Sequence, residues 1–409
     1  MSTVTAPAPG PAQAPHPIVW TLLYLPFGAL GGFVGVALTF LATRSGLSVT
    51  EGATLAAASL LSAWLKWLWA PIVDVTLTPK RWYVISTVAS ALGVLAMSMI
   101  PLSPETLPLL LTVIAVASLI NSIVGMAIEA ILAAVTLPTE RGRVSAWFQA
   151  GNLGGAGLGG GIGLYLLERV SEPWHAGAIM GALFLACCGG LLFVPDVKPH
   201  VHEGGALKAA WGVFGDLKGL FTARPSLLAA FLCFLPIGTG AASGALTQEG
   251  IASLWGAGSD EVALLQGFLA AGVTAIGCFI GGWLCDRFSP RVAYAGIGLL
   301  MAAVATGMAL SPQVVEMYVF WNLSYSLVVG FAYAAFTAVV LEAIGTSSAA
   351  TKYNLFASLS NFPIWWLGLV LGAVADRYGA QAMLFTEAGF GLVGVGVFAL
   401  VWKLAHRKG

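Results

Sequence analysis

The sequence has very little charge and few of the residues that bind metals or build catalytic centres. Only 9 % of its 409 residues are charged, whereas a soluble domain carries about a quarter. The 18 basic and 18 acidic residues balance, so no basic field exists to bind nucleic acid and no acidic field to bind a basic partner. The five cysteines form no CxxC pair and have no histidine at metal-ligand spacing. We therefore expect no cofactor and no metal.

The chain is instead rich in apolar residues, and these make it a membrane protein. Hydrophobic residues are 58 % of the sequence and the mean hydropathy is +0.89, which is too apolar for one aqueous core. Short alternating segments typical of a barrel are absent, so the spans are helices. Runs of about 20 apolar residues predict twelve transmembrane helices, near 17–42, 51–73, 82–101, 107–135, 144–168, 174–195, 225–248, 260–284, 291–310, 314–343, 352–374 and 382–403.

The distribution of basic residues predicts the orientation. With the N-terminus inside, fourteen Lys and Arg residues fall in the inner loops and tail and three in the outer loops. This bias predicts a multi-pass protein of the inner (cytoplasmic) membrane with both termini in the cytoplasm. We expect a disordered tail at 1–16, an N-terminal bundle at 17–195, a linker at 196–224 with an amphipathic surface helix at 206–221, a C-terminal bundle at 225–403 and a tail at 404–409.

Polar residues recur at a nearly constant offset in the two halves. Asp74 is followed by basic residues at the end of span two, and Asp286 occupies the same place in span eight, 212 residues later. Asn152 in span five recurs as Asn361 in span eleven at an offset of 209. These echoes predict an all-α fold of two pseudo-symmetric six-helix bundles, which is the layout of the major facilitator fold.

The stretch GGWLCDRFSPR at 281–291 resembles the loop pattern G-x-x-x-D-R-x-G-x-R of the major facilitator superfamily, with Ser289 in place of the second glycine. Spans five and eleven begin at the cytoplasmic face, where helix N-termini carry positive partial charge, and an aspartate from the other half can lie against them. Such a contact would hold the inner side closed. A solvated loop is the alternative. The predicted gating residues are Asp74, Arg81, Gly282, Asp286, Arg287 and Arg291.

Three further stretches resemble the AmpG-type muropeptide permease and acetyl-CoA transporter branch of that superfamily: SAWLKWLWAPIVD at 62–74, LPTERG at 137–142 and AATKYNLFASLS at 349–360. The branch often carries a Gln-Asp pair early in helix four, where this sequence has Val124 and Gly125. The resemblance implies transport of a sugar-peptide, nucleotide-like or siderophore-like solute.

Two opposite charges are predicted at the same depth inside the N-terminal half. Lys66 lies eight residues before Asp74, and Glu129 lies eight residues before Leu137, or about 12 Å from the inner end at 1.5 Å per residue. Pairing would lower the cost of burying both charges. Either the pair is structural, or Glu129 takes up a proton and frees Lys66 to bind an anionic solute.

Other polar and aromatic residues within the spans are candidates for the solute site or for helix-to-helix hydrogen bonds. The predicted binding set, with Lys66 and Glu129, comprises Tyr24, Gln149, Asn152, Lys352, Asn354, Asn361 and Trp365. Glu342, close to its loop, is either an interfacial carboxylate or a relay. A formal GxGxxG at Gly155, Gly157 and Gly160 follows no strand, so we interpret it as a packing surface and not as a nucleotide site.

These features predict a monomeric secondary active transporter that moves a polar, anionic solute by alternating access, coupled to protons. Its partners are then the small-molecule solute, protons and the lipid bilayer, with no nucleic acid. A drug or metabolite efflux pump of the same fold and a non-transporting membrane sensor are the alternatives. An enzyme would need a nucleophile with a base, or clustered His and Asp, at one membrane face, and the sequence has neither.

Overall fold

A computed structural model of the chain describes residues 15–45, 47, 49–197, 224–246, 249–265, 269–345 and 348–406, together with residues 212, 213, 215, 217 and 218. All regular structure in these ranges is helical, as the hydropathy pattern predicts. The tail at 1–14, most of the linker with the helix predicted at 206–221, and residues 407–409 lie outside the described residues.

Six long helices form the first half of the chain. Each corresponds to one predicted span. We number them α1 Ile18–Gly32, continued by a π-helical segment Phe33–Leu38 and by Thr39–Arg44; α2 Val49–Val75; α3 Pro79–Met99; α4 Leu107–Val135; α5 Arg141–Arg169; and α6 Pro173–Cys187, continued by a 3₁₀ segment Cys188–Phe193.

The second half repeats this arrangement. Its helices are α7 Arg224–Phe234, α8 Ala270–Arg287, α9 Pro290–Leu310, α10 Val315–Ile344, and a run Ala349–His406 that a non-helical residue at Gly379 divides into α11 before it and α12 after it. Shorter helical segments lie at Ser243–Leu246, Glu249–Ala252, Ser253–Trp255 and Ser259–Leu264. Seven described helical segments are long and apolar enough to cross a membrane by themselves, and the longest contains both α11 and α12.

The prediction of one continuous helix over 225–248 is wrong. Helix α7 ends at Phe234, because Pro236 disfavours helical backbone at the residue before it and has no N–H to donate. Gly238 and Gly240 then adopt positive φ angles of 59° and 65°, which other residues rarely adopt. The backbone therefore leaves the helix between residues 235 and 242, well inside the predicted span.

Matching caps begin α3 and α9. The Thr78 hydroxyl accepts the N–H of Arg81, and the Ser289 hydroxyl accepts the N–H of Val292, each at 3.4 Å. A proline at the first helical position follows each cap, where its missing N–H costs nothing. Ser289 thus starts a helix at the place where the superfamily pattern has its second glycine.

The glycine-rich stretch of α5 is a packing surface, as predicted. A Cβ at Gly155 would lie 2.7 Å from the carbonyl oxygen of Leu25, and one at Gly159 would lie 2.0 Å from that of Ala29. Helices α1 and α5 therefore pack backbone to backbone, which only small residues permit.

Candidate functional site

A cavity of about 330 Å³ lies between the two halves of the chain. Helices α1, α2, α4 and α5 contribute Tyr24, Phe27, Lys66, Asn121, Glu129, Gln149 and Asn152 to its lining. The unwound segment after α7 and helices α9, α10 and α11 contribute Gly238, Thr239, Tyr294, Tyr333, Phe336, Tyr353 and Asn361. The cavity is thus a mixed polar and aromatic space that both halves build.

Glu129 on α4 is the most highly connected carboxylate of the cavity. It is fully buried. Its Oε1 accepts the Tyr24 hydroxyl at 3.0 Å and its Oε2 accepts the side-chain amide of Asn354 at 2.7 Å. Asn354 belongs to α11, in the other half of the chain, so the Glu129 carboxylate joins the two halves.

Lys66 lies beside Glu129, as their equal depth predicts. Its Nζ is 3.9 Å from Oε1 of Glu129 and 5.9 Å from the centre of the Phe27 ring. The residue is 8 % exposed and lines the cavity. A pair at this distance is electrostatic contact without a short hydrogen bond, so Lys66 keeps donor capacity on the cavity side.

A chain of neutral hydrogen bonds joins the two halves beside the cavity. The Asn152 amide donates to Gln149 at 3.1 Å, and the Gln149 amide donates to the Thr337 hydroxyl of α10 at 2.7 Å. Thr337 lies 3.0 Å from the Tyr353 hydroxyl of α11. Both predicted amides of α5 therefore line the cavity, and Gln149 contacts the other half. Thr337 and Tyr353 were not predicted, because Thr and Tyr side chains are common in membrane spans and nothing in the sequence singles these two out.

Three residues of the predicted binding set are not part of the cavity wall. Asn354 is fully buried and donates a hydrogen bond to Glu129 from outside the cavity lining. Lys352 is buried one turn from the start of α11, where its Nζ donates to the Ile344 carbonyl at 3.2 Å. Trp365 is 50 % exposed and packs beside the Phe362 ring at 6.1 Å, outside the lining. All three residues lie on faces of α11 that point away from the cavity.

Asp74 joins the halves at the end of the protein where α2 terminates. Its carboxylate accepts the backbone N–H of Ala350 at 3.1 Å, the N–H of Thr351 at 2.9 Å and the Thr351 hydroxyl at 2.7 Å. These N–H groups belong to the first turn of α11, which has no intrahelical acceptor for them. The predicted juxtaposition of Asp74 with this helix N-terminus is therefore present.

Asp286 makes the corresponding contact at the end of α8. Its Oδ1 accepts the N–H of Gly142, in the first turn of α5, at 2.8 Å. The helices touch here through glycines, because a Cβ on Gly282 would lie 2.4 Å from the Gly142 carbonyl oxygen. We call the end of the protein that carries the Asp74 and Asp286 contacts the gate side.

The three arginines predicted as gating residues do not bridge the halves. Arg81 is exposed in the first turn of α3. Arg287 is exposed above the Trp283 ring, at 6.0 Å. Arg291 is buried and pairs with Glu342 at 3.3 Å, within the C-terminal half. Glu342 is thus an ion-pair partner of Arg291, which neither alternative for it foresaw.

One buried carboxylate was missed. Glu387 on α12 is 4 % exposed and is contacted by Tyr325 of α10 and by the unwound segment after α7. Its position inside the span predicted at 382–403 was the available signal, since an acidic residue in a membrane span needs a reason. Among the residues described, no group of three or more His, Cys, Asp or Glu side chains is placed to hold a metal ion.

Comparison with known proteins identifies the family. The family described as the Major Facilitator Superfamily matches residues 20–364, which is most of the chain. The chain belongs to the major facilitator superfamily. It is a multi-pass membrane protein with the twelve-helix, two-bundle fold of that family, which confirms the predicted fold class. No curated protein sequence matches it.

Several solved structures of the superfamily share its fold. The fucose transporter FucP in its outward conformation has a TM-score of 0.70 at 16 % identity, covering 94 % of this chain and 97 % of that one. The human organic anion transporter MFSD10 has a TM-score of 0.67 at 16 % identity, covering 93 % and 98 %. The proton:xylose symporter XylE has a TM-score of 0.65 at 13 % identity, covering 95 % and 94 %.

Proposed function

We propose that this protein is a proton-coupled secondary transporter that moves a small polar anion across the cytoplasmic membrane by alternating access, as a monomer with both termini in the cytoplasm. The observation that carries the proposal is the contact of Lys66 and Glu129 at the cavity wall, 3.9 Å apart. A cation and an ionisable carboxylate in a membrane protein mark a substrate or proton pathway by default.

Glu129 is the proposed proton carrier. As a carboxylate it attracts Lys66 and accepts hydrogen bonds from Tyr24 and Asn354. A proton on one Glu129 oxygen removes the charge and occupies one acceptor position. Protonation therefore frees Lys66 from its counter-ion and weakens the bond to Asn354, which is a bond between the halves. One event then changes both the solute site and a bond between the halves.

Lys66 is the proposed anchor for the anionic group of the solute. Its ammonium lies in the cavity wall, with the amides of Gln149, Asn152 and Asn361 available for the polar groups of the solute. The cavity volume of about 330 Å³ lies at the lower end of small-molecule sites. This size favours a compact solute over a large sugar-peptide.

The contacts between halves support an outward-open state in which the gate side is the cytoplasmic side. Asp74, Asp286 and Glu129 all tie the two halves together toward that side. The predicted orientation, with inner loops rich in basic residues, places the gate side in the cytoplasm. A structural neighbour, the fucose transporter, is described in an outward conformation.

Within the superfamily, we propose membership of the AmpG-type branch. Lys66 and Asp74, both in the resembling stretch 62–74, take part in the contacts described above. The absence of the branch's Gln-Asp pair at Val124 and Gly125 suggests a solute that differs from those of the branch.

The proposal is tested by a thermal-shift screen of the purified protein against carboxylates, sugar phosphates, nucleotides, siderophores and sugar-peptides. We expect an acidic solute to raise the melting temperature of the wild type and not that of Lys66→Met. Lys80→Met is the matched control, because Lys80 pairs with the exposed Asp196 at 3.3 Å, away from the cavity. If an acidic solute stabilised the Lys66→Met variant as strongly as the wild type, the proposal that Lys66 binds the anionic group would be wrong.

An efflux pump for an amphipathic organic solute is the second candidate, and the aromatic part of the lining favours it. Tyr24 stacks on Phe27 and Phe148, with ring centres 4.9 Å and 3.8 Å apart, and Phe27, Tyr294, Tyr333 and Phe336 line the cavity. Under this alternative, uncharged or cationic aromatic compounds stabilise the protein, and Lys66→Met leaves that stabilisation intact.

A further inference from the structure

Glu387 lies in a second polar cluster that the proposed transport mechanism does not use. Its Oε1 accepts the N–H of Ala242 at 3.3 Å and its Oε2 accepts the Tyr325 hydroxyl. The N–H of Ala241 donates to the Thr239 hydroxyl at 3.4 Å, and both groups lie beside the Glu387 carboxylate. Two helices, α10 and α12, and the unwound segment after α7 therefore meet at this one carboxylate.

The Ala242 N–H can only donate to Glu387, and the Tyr325 hydroxyl donates to its other oxygen, so the contacts favour the ionised side chain. A carboxylate accepts at both oxygens, whereas a protonated carboxyl must itself donate. The arrangement thus fits ionised Glu387. A metal cation would need several oxygen ligands, and the Ala242 N–H that faces this carboxylate offers none.

No basic side chain balances the charge. In the described part of the chain, no Lys, Arg or His nitrogen lies within 4.0 Å of Glu387. The titratable group that contacts it is Tyr325 from α10, and the α7 segment contributes the neutral Thr239 and peptide groups. A buried carboxylate held only by dipoles loses much less on protonation than one paired with a cation.

The cluster connects directly to the central cavity. Gly238 and Thr239 of the same unwound segment line it. The turn at Gly379 lies at the end of the protein opposite the gate side, and Glu387 lies eight residues beyond it, about 12 Å along α12 and inside the span. The carboxylate therefore fixes the backbone that forms part of the cavity wall on the side away from Asp74 and Asp286.

We propose that Glu387 is a second proton-binding site, and that a proton on it releases the unwound segment after α7 and so loosens the cavity wall on the side opposite the gate. The proton bonds to Oε1 or Oε2, and the donor that occupied that oxygen is displaced. The inference deepens the proposed transport function, because it gives the C-terminal half its own proton site beside that of Glu129.

Hydrogen exchange of the full-length protein in lipid nanodiscs tests the proposal without any solute. The amide groups of Ala241 and Ala242 are followed by mass spectrometry from about pH 8 to pH 5, and each rate is divided by the intrinsic rate at that pH. We expect their protection in the wild type to fall about tenfold or more as the pH is lowered. In Glu387→Gln, which cannot ionise, protection is low throughout.

Two further variants make the result decisive. Glu316→Gln is the matched control, because Glu316 is exposed at the outer end of α10, and it should behave as the wild type. Tyr325→Phe removes one donor to the ionised form, so its transition should move to higher pH while its total change persists. This variant and the wild type decide the matter if Glu387→Gln does not fold.

Three outcomes would overturn the proposal. The first is protection in the wild type that does not depend on pH, which would make Glu387 a structural clamp. The second is a Glu387→Gln variant that keeps the wild-type transition. The third is a loss of protection caused by Na⁺ at constant pH, which would indicate a metal-cation site. Since no solute is present, none of these results depends on whether Lys66 binds an anion.

Discussion

Replacing Asp74 by Asn should open the gate side. The carboxylate accepts hydrogen bonds from Ala350 N, Thr351 N and the Thr351 hydroxyl at 3.1, 2.9 and 2.7 Å. An amide is isosteric but uncharged, and only its oxygen accepts. The variant therefore loses at least one hydrogen bond to a charged acceptor and its charge at the N-terminus of α11.

The magnitude follows from these two losses. A hydrogen bond to a charged group is worth about 1.5–3 kcal/mol, and a carboxylate at a helix N-terminus about 0.3–1 kcal/mol. Because Asp74 is half-buried, we take the lower values and expect about 2 kcal/mol, or roughly a 30-fold rise in the ratio of open to closed gate. Asp286→Asn removes the charge from a single hydrogen bond, the one from Gly142. We expect it to shift the gate equilibrium by about 1 kcal/mol, or to raise the ratio of open to closed gate roughly fivefold.

Distance measurements between spin labels report this ratio. Cysteines introduced at Val84 on α3 and Val292 on α9 are exposed near the gate side, one in each half, in a background without the native cysteines. Asp196→Asn is the control, since Asp196 is largely exposed and pairs with Lys80 inside one half, and such surface pairs contribute little. A distance distribution for Asp74→Asn that coincides with that of Asp196→Asn would refute the reasoning.

Three other variants test the site. Glu129→Gln should abolish stimulation of uptake by an imposed proton gradient in proteoliposomes while solute binding persists, and stimulation that survives would exclude Glu129 as the carrier. Gly282→Ala places a Cβ 2.4 Å from a carbonyl oxygen of α5, so it should increase the distance between the same spin labels and lower the free energy of unfolding by about 1–3 kcal/mol. Gly272→Ala is the control, because a Cβ at Gly272 on the same helix meets nothing within 4 Å. Equal melting temperatures for the two variants would contradict the predicted clash. Asn361→Ala should weaken solute binding, measured by calorimetry, about tenfold, whereas Trp365→Ala should leave it unchanged. If Trp365→Ala weakened binding and Asn361→Ala did not, the solute would bind at the Trp365 face of α11 and not in the cavity.

The sequence by itself determined most of the helices, though not the break after Phe234, and the depth of polar residues such as Lys66 and Glu129. Hydropathy identifies a span because no other backbone satisfies its hydrogen bonds in lipid. Depth along a helix follows from 1.5 Å per residue, so the proximity of Lys66 and Glu129 could be predicted. Helix N-termini attract carboxylates, and the offset of 212 residues together with the loop pattern at 281–291 made the places of Asp74 and Asp286 predictable.

The tertiary structure alone decided which face of each helix meets the cavity. In a span that is apolar all round, the sequence does not distinguish lipid-facing from buried positions. It could therefore not show that Asn361 lines the cavity while Asn354 and Trp365 do not. Rotation about the helix axis turned Asn354 toward Glu129 and Trp365 outward. The donors to Glu387 come from a break in α7 and from another helix, and their convergence is a property of packing between segments far apart in the chain.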